Sequence, residues 1–174
     1  DFSYGLSSPW RKSDVLNATE YAVMMNEAEI NDGRTPIYAD PYSFGEGTDW
    51  QNELFNWNAP QQSHQLSISG TSGKNQYFVS AGYYSQDGII GGNYDRSNYE
   101  RFTARVNDQY TVFDATADRS WLNKLNLNVN VSYSRTITQG ISTNSEFGSP
   151  LGSAIALSPL LSAYVDPADE QAVI

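Results

Sequence analysis

The chain lacks cysteine altogether and has one histidine among its 174 residues. No disulfide framework and no thiolate metal site is therefore possible. A lone histidine does not make a multi-histidine zinc site. Basic residues are scarce, 10 Lys and Arg against 20 Asp and Glu, for a formal net charge of −10. That balance argues against a phosphate-backbone track, and no nucleic-acid partner is expected. No stretch approaches 18 consecutive apolar residues, so no transmembrane helix is expected. Charged residues are only 17% of the chain and hydrophobic residues 39%; the polarity comes mainly from Ser, Asn, Gln and Thr.

Aromatic residues, by contrast, are plentiful at 13%, and 12 of them are Tyr. This is too aromatic for intrinsic disorder. The length fits one domain or a piece of something larger. The chain opens at Asp1 without Met or a signal pattern and stops at Ile174 after a polar stretch, which reads as an interior fragment. A mature secreted domain is the alternative.

Charge is unevenly distributed. Residues 1–60 carry ten acidic and three basic groups, residues 61–135 six and seven, and residues 136–174 four and none. A near-neutral block thus lies between two acidic flanks.

The local signals change at the same places. Residues 2–7 alternate apolar and polar like the end of a strand, before Pro9 stops it. Ala18, Tyr21, Ala22, Met25 and Ala28 fall at helical spacing. Asn17 with Glu20 forms a capping-box pattern, and Gly33 is a plausible stop, so the spacing predicts a helix near 17–31. Residues 34–47 hold two prolines and two glycines and read as loop. Thr48 or Asp49 could cap a short helical turn containing Trp50, Leu54 and Phe55.

The central block alternates with period two. Four consecutive strands of about ten residues are predicted, alternating over 64–69, 76–84, 101–107 and 125–134. Gly70–Asn75 is turn chemistry, and 86–98 and 112–120 are longer connections. Tyr77, Val79, Ala81 and Tyr83 share one face, as do Phe102, Ala104 and Val106, and likewise Leu125, Leu127, Val129, Val131 and Tyr133. The opposite faces carry Arg101, Arg105, Asn107, Asn126, Asn128 and Asn130. In an antiparallel meander all the apolar faces lie on one side. Two environments produce this pattern: a soluble sandwich, with the apolar face against a second sheet, or a transmembrane barrel, with it against lipid. The polar faces, the Tyr residues near strand ends and the unequal connections favour the barrel. On that reading the twelve apolar-face residues just named are lipid-facing. Four strands and part of a fifth cannot close a barrel, so the remaining strands would belong to a longer parent.

Few residues stand out as chemistry-bearing. His64 reads as a strand residue near a barrel mouth. Glu27, Glu29 and Asp32 lack the spacing of an EF-hand loop and read as a solvated acidic face. No paired carboxylates are placed by sequence, and neither catalytic residues, cofactor-binding residues nor metal ligands are assigned. Trp57 and Tyr94 lie in predicted loops, where exposed aromatics can stack on sugars or anchor a partner; they are the substrate- or partner-contact candidates. Trp50 reads as packing within its own turn.

Several ordered runs then carry a family resemblance: Leu16–Ala22, Asn26–Ala28, Thr48–Phe55, Ser63–Gly70, Tyr77–Ile90 and Arg101–Asn107. Over about residues 1–165 the chain resembles SusC/RagA-type TonB-dependent outer-membrane transporters of Bacteroidetes. The resemblance implies an all-β fold, an antiparallel meander that is part of a 22-stranded transmembrane barrel, with a helical insertion in the first extracellular loop. Residues 1–8 would end the first strand and 9–60 form that loop. Residues 61–137 would hold four strands, near 62–70, 76–85, 99–111 and 122–137, and 138–174 would begin another extracellular loop. The plug and the remaining barrel would lie outside this chain. The implied role is import of glycans or peptides across the bacterial outer membrane, without covalent catalysis. The implied partners are a SusD-like surface lipoprotein, the TonB complex through the absent part of the chain, and outer-membrane lipid. One departure is at 70–73, where relatives usually show paired glycines and this chain has Gly-Thr-Ser-Gly; a local change in turn geometry is expected. The competing reading is a secreted β-sandwich carbohydrate-binding module.

Overall fold

The computed structural model describes residues 1–91, 94, 96–115, 121–141 and 148–164. They form two compact units, one made of residues 1–7, 58–88 and 97–139, the other of residues 8–57, 89–96 and 140–174. The first carries six acidic and six basic side chains by sequence, the second fourteen and four. The whole net charge of −10 therefore resides in the second unit.

The first unit is a single five-stranded antiparallel meander in sequence order: β1 (Phe2–Ser7), β2 (Ala59–Ser72), β3 (Asn75–Asp87), β4 (Asn98–Asp114) and β5 (Lys124–Gln139). β2, β3 and β4 run three to five residues longer than the strands expected near 62–70, 76–85 and 99–111, because ladder hydrogen bonding extends through Gln- and Ser-rich ends that show no apolar period. β2 and β3 pair from Gln61↔Gln86 to Ser72↔Asn75, which shrinks the expected Gly70–Asn75 turn to the two residues Gly73 and Lys74. Gly73 has φ +60°, the conformation a two-residue hairpin demands. At Gly70 the strand continues instead, with the Tyr77 ring lying over it so closely that a Cβ there would collide with the phenol oxygen. Tyr77 is thus a cross-strand aromatic covering a strand glycine.

One irregularity alters a face. The β4–β5 register shifts between Thr111 and Phe113. The extra residue, Val112, is a β-bulge. It brings Phe113 opposite Leu125 and Asp114 opposite Lys124, 3.5 Å apart as an ion pair. Straight alternation would have put Phe113 among the polar residues.

The second unit is held by caps and amide clamps more than by a core. Helix α1 (Ala18–Asn31) begins with the expected capping box: the Glu20 amide donates to Asn17 Oδ1 at 2.8 Å and the Asn17 amide to Glu20 Oε2 at 3.0 Å. Asp32 is its C-cap, and Gly33 follows at φ +75°. Asn26 clamps the backbone of Tyr38 in both directions, at 2.8 and 2.9 Å. Gln51, 2% exposed, does the same to Ser13, at 2.9 and 2.8 Å. A buried amide so paired avoids the cost of unsatisfied polar groups. After a 3₁₀ turn at Pro41–Phe44, α2 (Trp50–Leu54) is capped by Asp49. A third helix, α3 (Pro150–Ala156), stands where only loop was expected. Its Ser149 cap and N1 proline are a recognisable start signal.

Candidate functional site

The sheet is one residue layer thick and presents two unlike faces. Reading across the register, Leu66, Ala81, Ala104 and Tyr133 form one row, and Ile68, Val79, Val106 and Val131 the next. Beyond them lies a row of four rings closed by a cation: Phe2, His64, Tyr83, Phe102 and Arg135. There His64 meets the Phe2 ring edge-on at 5.3 Å and stacks on Tyr83 at 6.2 Å. The following row is mixed, Tyr4, Gln62, Ser85, Glu100 and Ile137, and Tyr83 donates to Glu100 at 3.4 Å. Towards the hairpin end the same face carries Tyr77, Val129, Tyr110, Leu127, Phe113 and Leu125, interrupted by Asp108.

The other face is polar throughout its centre. Ser67, Ser80, Arg105 and Ser132 share one row, and Ser69, Phe78, Asn107 and Asn130 the next. The Arg101 guanidinium lies 6.0 Å from the Tyr84 ring centroid, and Tyr84 meets Tyr99 edge-on at 5.8 Å.

All twelve residues read as lipid-facing therefore share one face. Phe2, Tyr4, Leu6, Leu66, Ile68, Tyr110, Phe113 and Ile137, which were not among those twelve, join them. Alternation marked Leu66 and Ile68, but assigning the face of Phe113 required the bulge. This face is open: Leu66 is 63% exposed and Val131 57%. Among the described apolar residues of the sheet unit only Ala59 is fully buried. A self-contained sandwich would cover such a face with a second sheet; the described residues form one sheet.

The two loop aromatics are separated. Trp57 meets Phe55 edge-on at 5.8 Å, and its indole N–H donates to Asn52 Oδ1 at 3.2 Å; its carbonyl accepts from Ser8. Tyr94 instead lines a cavity of about 510 Å³ in the second unit. Burial raises its phenol pKa, and the Glu53 carboxylate raises it further. Trp50 is anchored there, its indole N–H donating to the Ser158 carbonyl at 3.0 Å. Asp49 is also shifted. Burial alone pushes its carboxyl up, but the ion pair with Lys12 and backbone donors from Asn52 and Gln51 outweigh this and hold it below the usual range.

No protein-family model matches the chain. It is similar to TonB-dependent receptor P3 of Formosa agariphila, 29% identical over 168 residues, and to TonB-dependent receptor SusC of Bacteroides thetaiotaomicron, 28% identical over 165 residues. Each similarity covers 93% of this chain and 14% of the relative. The chain thus spans about one seventh of the length of these curated relatives. Receptors of this type are outer-membrane proteins. The open two-faced meander and the two similarities together support a segment of a SusC-like TonB-dependent receptor, its sheet a fragment of the β-barrel.

Proposed function

We propose that this chain forms part of the wall and outer vestibule of an energy-coupled importer of nutrients across the bacterial outer membrane. The observation that carries the reading is the uncovered apolar face, framed by aromatic residues, on a meander whose other face is polar. From Phe102 to Tyr110 on β4 the apolar face rises about 26 Å along the strand, at ~3.3 Å per residue. Tilted by about 40°, as barrel strands are, this is roughly 20 Å along the membrane normal. That is the order of the lipid-contacting band of such barrels.

On this reading Tyr77, Val79, Ala81, Tyr83, Phe102, Ala104, Val106, Leu125, Leu127, Val129, Val131 and Tyr133 contact lipid. The Asn- and Arg-bearing face lines the wet interior. On the same reading residues 9–60 and 138–174 are extracellular loops, where their acidic groups stay solvated. The cargo class is glycans or peptides, the surface partner a SusD-like lipoprotein, and the energy source TonB acting through regions outside this chain. Trp57 and Tyr94 remain the loop aromatics proposed for cargo or partner contact. The chemistry is binding and gated passage, with no bond broken.

The test is a pair of charges on one strand of the full-length receptor. Val131→Arg places a guanidinium on the apolar face, at a cost of about 2–4 kcal/mol near the bilayer midplane. Asn128→Arg places one on the polar face. Folded receptor in isolated outer membranes, measured by heat-modifiable gel migration, should fall sharply for the first and stay near wild type for the second. Equal tolerance of both would refute the assignment of faces.

A further inference from the structure

The cavity lined by Tyr94 lies wholly within the second unit. Trp50, Leu157, Leu161 and Tyr94 give it an apolar and aromatic lining, and at about 510 Å³ it has the size of a small-molecule site. One carboxylate, Glu53, is set into this lining. The Tyr164 hydroxyl donates to Glu53 Oε2 at 2.7 Å, which fixes the carboxylate's orientation. Among the described residues Glu53 has no cationic partner; the ion pairs there are Lys12–Asp49, Arg34–Glu29, Arg34–Asp32 and Lys124–Asp114. Its charge is felt in the cavity, because it helps to keep the Tyr94 phenol protonated. The surrounding unit adds a field of the same sign, with fourteen acidic side chains against four basic.

The geometry points to a binding site for a small organic cation, an ammonium head on an apolar or aromatic body, with Glu53 as its counter-ion and Trp50, Tyr94 and Tyr164 as its aromatic walls. An ammonium gains from both partners, by a charge-assisted hydrogen bond to the carboxylate and by attraction to aromatic faces. A neutral alcohol of the same shape gains the apolar burial and at most one hydrogen bond, without the attraction between opposite charges. The acidic unit would also raise the local concentration of cations and speed their capture. The site does not depend on the transport reading, since it lies wholly within the second unit.

The test uses the full-length receptor purified in detergent, titrated by calorimetry with phenethylammonium and with 2-phenylethanol, its neutral counterpart. The amine should bind saturably and at least about tenfold tighter than the alcohol, a preference that shrinks as salt screens the carboxylate. Glu53→Gln keeps an acceptor for Tyr164 and removes the charge, and should erase the preference. If that variant does not assemble, the wild-type preference and its salt dependence decide alone. Equal affinity for amine and alcohol would overturn the proposal. So would the absence of saturable amine binding up to about 10 mM, which would mean that another segment of the parent fills the cavity.

Discussion

Replacing Gly47 by alanine should loosen the second unit at one identifiable junction. Gly47 has φ +72°, and a Cβ there would collide with the Pro159 carbonyl oxygen and come within 2.5 Å of the Ala18 Cβ. Neither neighbour is the free end of a flexible side chain. Pro159 is buried, Ala18 is 1% exposed, and both are tied to the glycine's own strap. The Ala18 amide donates to the Glu46 carbonyl at 2.9 Å, the Thr19 amide to Gly45 at 3.1 Å, and the Thr48 amide to Pro159 at 2.9 Å. A positive φ costs a non-glycine residue about 1 kcal/mol. Forcing a methyl into a packed contact costs about 2 kcal/mol more. Together these give about 3 kcal/mol, or roughly a hundredfold in a local opening equilibrium. Amide hydrogen exchange of the assembled receptor reads this directly: Ala18, Thr19 and Thr48 should exchange about a hundredfold faster. Gly33→Ala is the control, since Gly33 has φ +75° but open space around it; only the backbone cost applies there, about fivefold. If Gly47→Ala accelerates exchange no more than Gly33→Ala, the close approach of strap, helix and Pro159 is refuted.

Three further outcomes are expected. Gln51→Leu leaves the amide and carbonyl of Ser13 unpaired beside a buried apolar group, a loss of about 2 kcal/mol; limited trypsin digestion should then cut after Arg11 or Lys12 several-fold faster than in wild type. The depressed pKa of Asp49 means that its pairing with Lys12 stabilises the start of α2 above the unfolded value near 3.8 and is lost as pH falls through the lower folded value; exchange of the Asn52 amide should accelerate in that acid window in wild type and show no such step in Asp49→Asn. Tyr77→Ala uncovers Gly70 and leaves a gap on the apolar face, and should slow assembly of the barrel, whereas Tyr77→Phe, which keeps the ring, should not.

The period-two pattern of the central block was legible without coordinates, because a pleated strand sends alternate side chains to opposite sides whatever its neighbours are. It located β2 to β5 and grouped Leu125 to Tyr133 on one face before any pairing was known. The capping box at Asn17 was equally local, since both of its hydrogen bonds close within four residues. Strand ends were less legible, because ladder pairing continues through polar residues without leaving a hydropathy signal. The face of Phe113 was not legible at all: it turns on a bulge at Val112, and a bulge is a property of two strands, not of one.

The candidate site divides along the same line. Composition and spacing by themselves determined a chain with one face for an apolar medium and one for water, acidic flanks, and Trp57 and Tyr94 as aromatics in loops. Tertiary structure decided which of these residues meet. It set Tyr94 beside Glu53 and Tyr164, separated it from Trp57, and brought Gly47 against Pro159, more than a hundred residues away. Alternation and capping are written into consecutive residues by backbone geometry, whereas a cavity depends on the closure of long loops, and no local period in the sequence encodes where such loops come together.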